Sequence, residues 1–170
     1  MRLLRFFSIC ATTLLLAGCA SYHFGPVNDE VAGEKSIEVL PFNNQTPEAR
    51  LGDAVTQALR ERFQADATYH LATHGNGDVV VTGVIKRYDR QGLSYLKNDV
   101  TTTDNYRVGI IAHVVVRERD SGKTLLDKDV NGYTLVHVGA DLADDERQAA
   151  PLLAEDLARN IAELITEGAW

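Results

Sequence analysis

The sequence predicts an α+β fold: a two-layer sandwich in which a four-stranded, mainly antiparallel sheet carries two helices on one face, in the order β-α-β-β-β-α. Three observations predict it. Apolar residues recur at helical spacing in two separate stretches, around residues 51–63 and 150–165. Between them lie three runs in which apolar residues alternate with other types, the pattern of a half-buried strand. One further short strand-like run precedes the first helix, and two helices with one apolar stripe each suffice to cover one face of such a sheet.

The elements follow in order. "SIEVLPF" (36–42) reads as a strand with Ile37 and Val39 on one face, stopping at Pro41, a residue tolerated at a strand end or edge because it lacks an N–H. In "NNQTPEARLGDAVTQALRERF", Thr46 reads as an N-cap and Pro47 as the first helical residue. Leu51, Ala54, Val55, Ala58, Leu59 and Phe63 form the buried stripe, leaving Arg50, Asp53, Gln57, Arg60 and Glu61 to water. A connection with a Gly75-Asn76-Gly77 turn leads to the runs 78–89, 105–120 and 123–138. In the middle run Tyr106, Val108, Ile110, Ala112, Val114 and Val116 make an apolar face, and Arg107, Gly109, Ile111, His113, Val115 and Arg117 a mixed one. Asp120-Ser121-Gly122 reads as a tight hairpin. Gly83, Gly109 and Gly132 mark bulges or places of close backbone approach. The second helix carries Ala150, Leu153, Ala154, Leu157, Ile161, Leu164 and Ile165, with Asp144, Asp145 and Glu146 at its positive end and Pro151 starting or kinking its regular part.

Ahead of the domain, Arg2 and Arg5 precede an apolar run to Leu16 and the small residues Ala17 and Gly18. Charged start, apolar centre and small-residue cut site make a secretory signal, too short to span a bilayer as a helix of about 20 residues. Leu16-Ala17-Gly18-Cys19 resembles the bacterial lipobox, so Cys19 is the expected lipidation site and first mature residue. Two or more acyl chains, palmitate among them, hold a protein stably where one does not. Ala20, in the place where Asp tends to retain lipoproteins at the inner membrane, favours the outer one. The chain therefore divides into a lipoprotein signal (1–18), a lipidated tether (19–35) and one α/β domain (36–170).

The 170 residues carry 17 Lys and Arg against 24 Asp and Glu, a net charge of −7, and removal of the signal takes two cations away. Such a chain is a poor non-specific binder of nucleic acid or anionic lipid. Cys10 lies inside the signal, so no disulfide is available to the mature protein. His70 and His74 have the spacing of a zinc-binding helix but sit in a Gly-rich connection with no third ligand at metal spacing, and read as solvated. Gly75-Asn76-Gly77 runs from helix into strand, the reverse of a phosphate cradle. Asp144 with Asp145 is more simply a cap and dipole partner than a catalytic pair. No nucleophile, base and oxyanion donor come together, which argues for a non-enzyme without cofactor or metal.

The stretch that stands out is "RYDRQGLSYLKNDVTTTDNYR" (87–107), read as a long connection between the second and third strands. It groups Arg87, Arg90, Lys97 and Arg107 with Tyr88, Leu93, Tyr95, Leu96 and Tyr106. Aromatics supply contact area and cations pair with an acidic ligand or partner, so this is the expected binding surface, with Tyr88, Tyr95, Leu96 and Tyr106 as partner contacts.

Cys19 followed by Tyr22 and His23, the strand ending "VLPFNNQTPEARL", the strand "GDVVVTGVIKRYD", the strand "YRVGIIAHVVV" with its hairpin, and the closing helix together resemble the lipopolysaccharide-assembly lipoprotein family LptE. The resemblance implies a two-layer lipoprotein, anchored on the periplasmic side of the outer membrane, that plugs the large β-barrel LptD, assists its assembly and helps deliver lipopolysaccharide to the cell surface. It implies lipopolysaccharide contact through Lys97, supported by Arg90 and Arg107. Where the family can carry a further basic residue, before the last helix, this chain has Ala143, Asp144 and Asp145. The segment "IEVLPFNNQT" alone also resembles periplasmic lipoproteins with a TolB-N-terminal or CsgG-like domain, acting in secretion or regulation. The long connection and the two long hairpin strands favour the first resemblance.

Overall fold

A computed structural model of the chain describes residues 35–66, 68–96, 99–137 and 142–167. Cys19, the signal, the tether to residue 34 and Lys97 lie outside the described residues. The elements are β1 (Ser36–Val39), β2 (Asn43–Asn44), α1 (Leu51–Ala65), β3 (His70–Leu71), β4 (Val79–Leu96), β5 (Asp99–Glu118), β6 (Thr124–His137) and α2 (Leu142–Thr166).

The α+β class and the two helices are as expected, but the sheet is not four-stranded and mainly antiparallel. It is a six-stranded mixed sheet of order β3-β1-β4-β5-β6, with β2 also paired to β4. The pairings of β4 with β5 and of β5 with β6 are antiparallel, whereas β1 runs parallel to both β3 and β4 and β2 parallel to β4. The reason is connectivity: α1 carries the chain back across the sheet, so the strands before and after it point the same way. Pro41 splits the first strand, since it has no N–H to offer; Leu40 N–H still donates to Val81 O and Gln45 N–H to Ile85 O, both at 3.0 Å, so the broken strand stays alongside β4.

The core lies between the sheet and the helices. In β5, Val108, Ile110, Ala112, Val114 and Val116 are buried, as the alternation predicts, and they meet Leu51, Val55, Leu59 and Phe63 of α1 and Leu153, Leu157, Ile161 and Ile165 of α2. Helix α1 covers the β1, β2 and β3 side, α2 covers β5 and β6, and the helices pack on each other. Two glycines permit close approach. A Cβ on Gly132 would stand 2.8 Å from the backbone nitrogen of Leu157, so α2 rests directly on β6 there; a Cβ on Gly83 would collide with the Phe42 ring.

Three local expectations are corrected. Thr46 does not cap α1: its hydroxyl accepts the Glu48 N–H at 3.3 Å within a turn that Asn44 organises, and the helix starts only at Leu51. Arg60 does not simply face water, because its guanidinium donates to the Val39 carbonyl at 2.8 Å, tying α1 to the end of β1. The stretch 87–107 is not a loop; β4 and β5 run through it as paired strands to Leu96 and from Asp99. Pro151 lies within the continuous α2.

Candidate functional site

Among the described residues the sheet face opposite the helices carries no second layer, and its side chains follow from the register. A bulge between Ile85 and Arg87 changes the phase of β4. Before it, Val80, Thr82 and Val84 face outward; after it, Arg87, Asp89 and Gln91 do, while Ile85 is buried and Tyr88 packs against the core. On β5 the outward set is Arg107, Gly109, Ile111, His113, Val115 and Arg117, and on β6 it includes Asp127, Asp129, Tyr133 and Leu135.

At the centre of this face four polar side chains meet. His113 Nδ1 lies 2.9 Å from Asp129 and Nε2 lies 3.3 Å from Asp127, while Lys86 Nζ reaches Asp129 at 3.1 Å. The Lys86 ammonium and the His113 ring hold the Asp129 carboxyl below its ordinary range. The four side chains engage one another and are open to water.

Towards the far end the character changes. Arg107 lies over the Tyr133 ring, 4.7 Å from its centroid, a cation–π arrangement. Leu135, directly opposite Arg107 in register, is 62% exposed, and Tyr133 is 52% exposed. Monomers scatter single apolar residues on their surfaces, but an aromatic, a leucine and a guanidinium in mutual reach form an amphipathic patch suited to a ligand or partner with apolar and anionic parts.

Beyond this patch the sheet narrows. Among the described residues β6 pairs no further than His137 opposite Asn105. There His137 Nδ1 lies 3.0 Å from Asn105 Oδ1, and Asn105 Nδ2 donates to Ser94 Oγ at 2.7 Å, a polar line across the three strands. From that line β4 and β5 continue as a two-stranded ribbon whose register shifts at Gly92/Ser94, Ser94/Tyr95 and Tyr95/Leu96. An isolated pair of strands is marginal in water, and among the described residues no further strand pairs with this one.

The expected site residues are distributed over this end of the molecule. Arg107 is on the outer face, in the patch. Arg90, opposite Val108, is exposed on the helix-side face, so the two arginines do not share a surface. Tyr88 and Tyr106 are half-buried against the core. Tyr95 and Leu96 place their backbones on the ribbon, and Lys97 lies outside the described residues just past them. Tyr133 and Leu135 were missed; the alternation Asn131, Tyr133, Leu135, His137 in the last strand was the available signal. His70 and His74 are exposed, and His74 hydrogen-bonds to its neighbour Thr73.

The fold and this open end define a two-layer α+β domain with one uncovered sheet face and a projecting strand ribbon. The same fold occurs in protein CT253 from Chlamydia trachomatis (TM-score 0.57, 11% identity, covering 79% of this chain and 96% of that one) and in a minor lipoprotein from Acinetobacter baumannii (TM-score 0.52, 16% identity, 78% and 92%). It occurs also in protein XCC0632 from Xanthomonas campestris (TM-score 0.56, 9% identity, 78% and 85%). No curated protein sequence matches the chain. The family model LptE, lipopolysaccharide-assembly, matches residues 34–166, nearly all of the described domain, and the chain belongs to that family of non-enzymatic lipoproteins.

Proposed function

We propose that the chain is an outer-membrane lipoprotein subunit of the lipopolysaccharide translocon, anchored through Cys19 on the periplasmic side, that sits against an LptD-type β-barrel, assists its assembly and contacts lipopolysaccharide. The observation that carries this reading is the family match over residues 34–166. The geometry supports it: the uncovered sheet face and the ribbon give a small domain an extended surface for a large partner, and among the described residues no helix is long and apolar enough to cross a membrane, so the N-terminal lipid is the expected tie to the bilayer.

Lipopolysaccharide joins acyl chains to phosphates. The Arg107, Tyr133 and Leu135 patch offers a cation beside apolar surface, Arg90 lies on the opposite face, and Lys97 directly follows Leu96 in the sequence. In this arrangement cations take the phosphates and the apolar groups take lipid or the barrel wall. Lys97→Glu tests the ligand part. The variant is expected to keep its thermal midpoint and to lose lipopolysaccharide retention at least five-fold in a purified-component pull-down; unchanged retention removes Lys97 from the site.

A further inference from the structure

Strand β6 ends the sheet on one side, and α2 partly closes that edge. Tyr133 N–H donates to Asp156 Oδ2 at 3.0 Å, and Asn160 Nδ2 donates to the Asn131 carbonyl at 2.8 Å. A carboxylate and an amide thus stand where the backbone of a seventh strand would be. They also reveal the phase of the edge: in an antiparallel strand alternate residues turn both backbone groups the same way. Asp127 and Asp129 therefore turn N–H and C=O outward, and so does the Asn131 N–H. Among the described residues no group hydrogen-bonds to any of these.

Beside this open half-edge runs a groove of about 360 Å³ between β6 and the last turns of α2, floored by Val130 and Leu164 and rimmed by Asp129, Glu163 and Glu167. Its lining includes no cation. Lys128 is the nearby positive residue on the strand, and Lys86 pairs with Asp129 from the outer face, so Glu163 and Glu167 are the carboxylates of the rim that stand apart from that pair.

We propose that the Asp127–Asn131 edge and its groove accept an extended cationic segment of a partner protein by strand addition. Backbone groups of the segment would pair with the free edge of β6, and alternate side chains would enter the groove, where lysine or arginine meets Glu163 and Glu167. A second copy of this chain is disfavoured, because antiparallel self-pairing about this stretch sets aspartates near aspartates. An anionic membrane surface is repelled by the same carboxylates. The charges that guard an exposed edge against its own kind leave it open to a strand of opposite sign.

The test uses the full-length lipoprotein in detergent and an acetylated, amidated peptide of alternating Lys and Val. The expected result is salt-sensitive binding that protects the Asp129 and Asn131 amides from hydrogen exchange. An analogue N-methylated at alternate residues keeps the charge but cannot pair, and is expected to bind at least ten-fold more weakly. So is the parent peptide to Glu163→Lys/Glu167→Lys. Asp129→Pro, which removes an outward N–H and no backbone bond to β5, is expected to lower affinity similarly relative to Asp129→Ala, which loses the same side-chain contacts with Lys86 and His113 but keeps the N–H. Equal binding of the N-methylated analogue, no dependence on Glu163 and Glu167, or no binding at all would overturn the proposal. Should Asp129→Pro lose its fold, the analogue series on the native protein still decides.

Discussion

The Arg107 guanidinium and the Tyr133 ring, on adjacent strands, stack at 4.7 Å on the sheet face opposite the two helices. The arginine belongs to β5 and the tyrosine to β6, two residues away in register from the directly opposite Leu135. The contact is exposed, so it contributes about 0.5–1 kcal/mol at most to folding. Its importance lies in fixing a long cationic side chain beside apolar surface.

Tyr133→Ala should therefore change stability little, by about 1 kcal/mol or less, while freeing the Arg107 side chain. If the patch contacts lipopolysaccharide, Tyr133→Ala and Arg107→Ala each weaken its retention several-fold, and the double variant loses less than the product of the two. Retention on immobilised lipopolysaccharide beside a urea melt separates these effects.

Thr56 is the buried polar hinge between layers. Its hydroxyl donates to Gly52 O at 2.7 Å and accepts the Phe42 N–H at 2.9 Å. Thr56→Val keeps the volume but strands a buried amide, which costs about 1–3 kcal/mol. The expected signature in urea is a lower midpoint at unchanged slope; Thr56→Ser, which restores the hydroxyl, should recover part of the loss.

Asp78 gives the fold a dependence on acid. The Ser36 backbone N–H donates to its carboxylate at 2.8 Å and the Ser36 hydroxyl at 2.7 Å, and these bonds, the backbone one foremost, lower the Asp78 pKa. A carboxyl whose pKa is depressed on folding adds stability that is fully present above its unfolded value and is lost as pH falls through its folded one. Thermal melts of Ser36→Ala and the parent chain should thus differ at pH 7 and draw closer as pH falls below the ordinary carboxylate range; a constant gap would remove Asp78 from the explanation.

What could be read in advance divides along physical lines. The burial of Val108 to Val116 on one side of β5 and the two helix stripes were legible because a buried face imposes its period on the sequence. The neighbours of β1 were not, since Ile37 and Val39 say which face is buried but nothing about which strand lies alongside. Thr46-Pro47 carries the chemistry of a helix start, and only the competing hydrogen bonds of Asn44 place the start later. The 87–107 stretch reads as a loop because its apolar residues do not alternate as those from Val108 to Val116 do. For the site, Arg107 was visible as a cation among aromatics, whereas its partner Tyr133 lies 26 positions further along and joins it only through the β5/β6 register.

The central claim is that this lipoprotein works as one half of a pair. Its most direct test is to tag the full-length protein at the C-terminus, solubilise outer membranes in mild detergent, and identify what co-purifies by mass and by heat-dependent migration. The account predicts one large β-barrel in equal amount, carrying lipopolysaccharide. Recovery of the lipoprotein alone, or with a periplasmic secretion or regulatory complex, would contradict it.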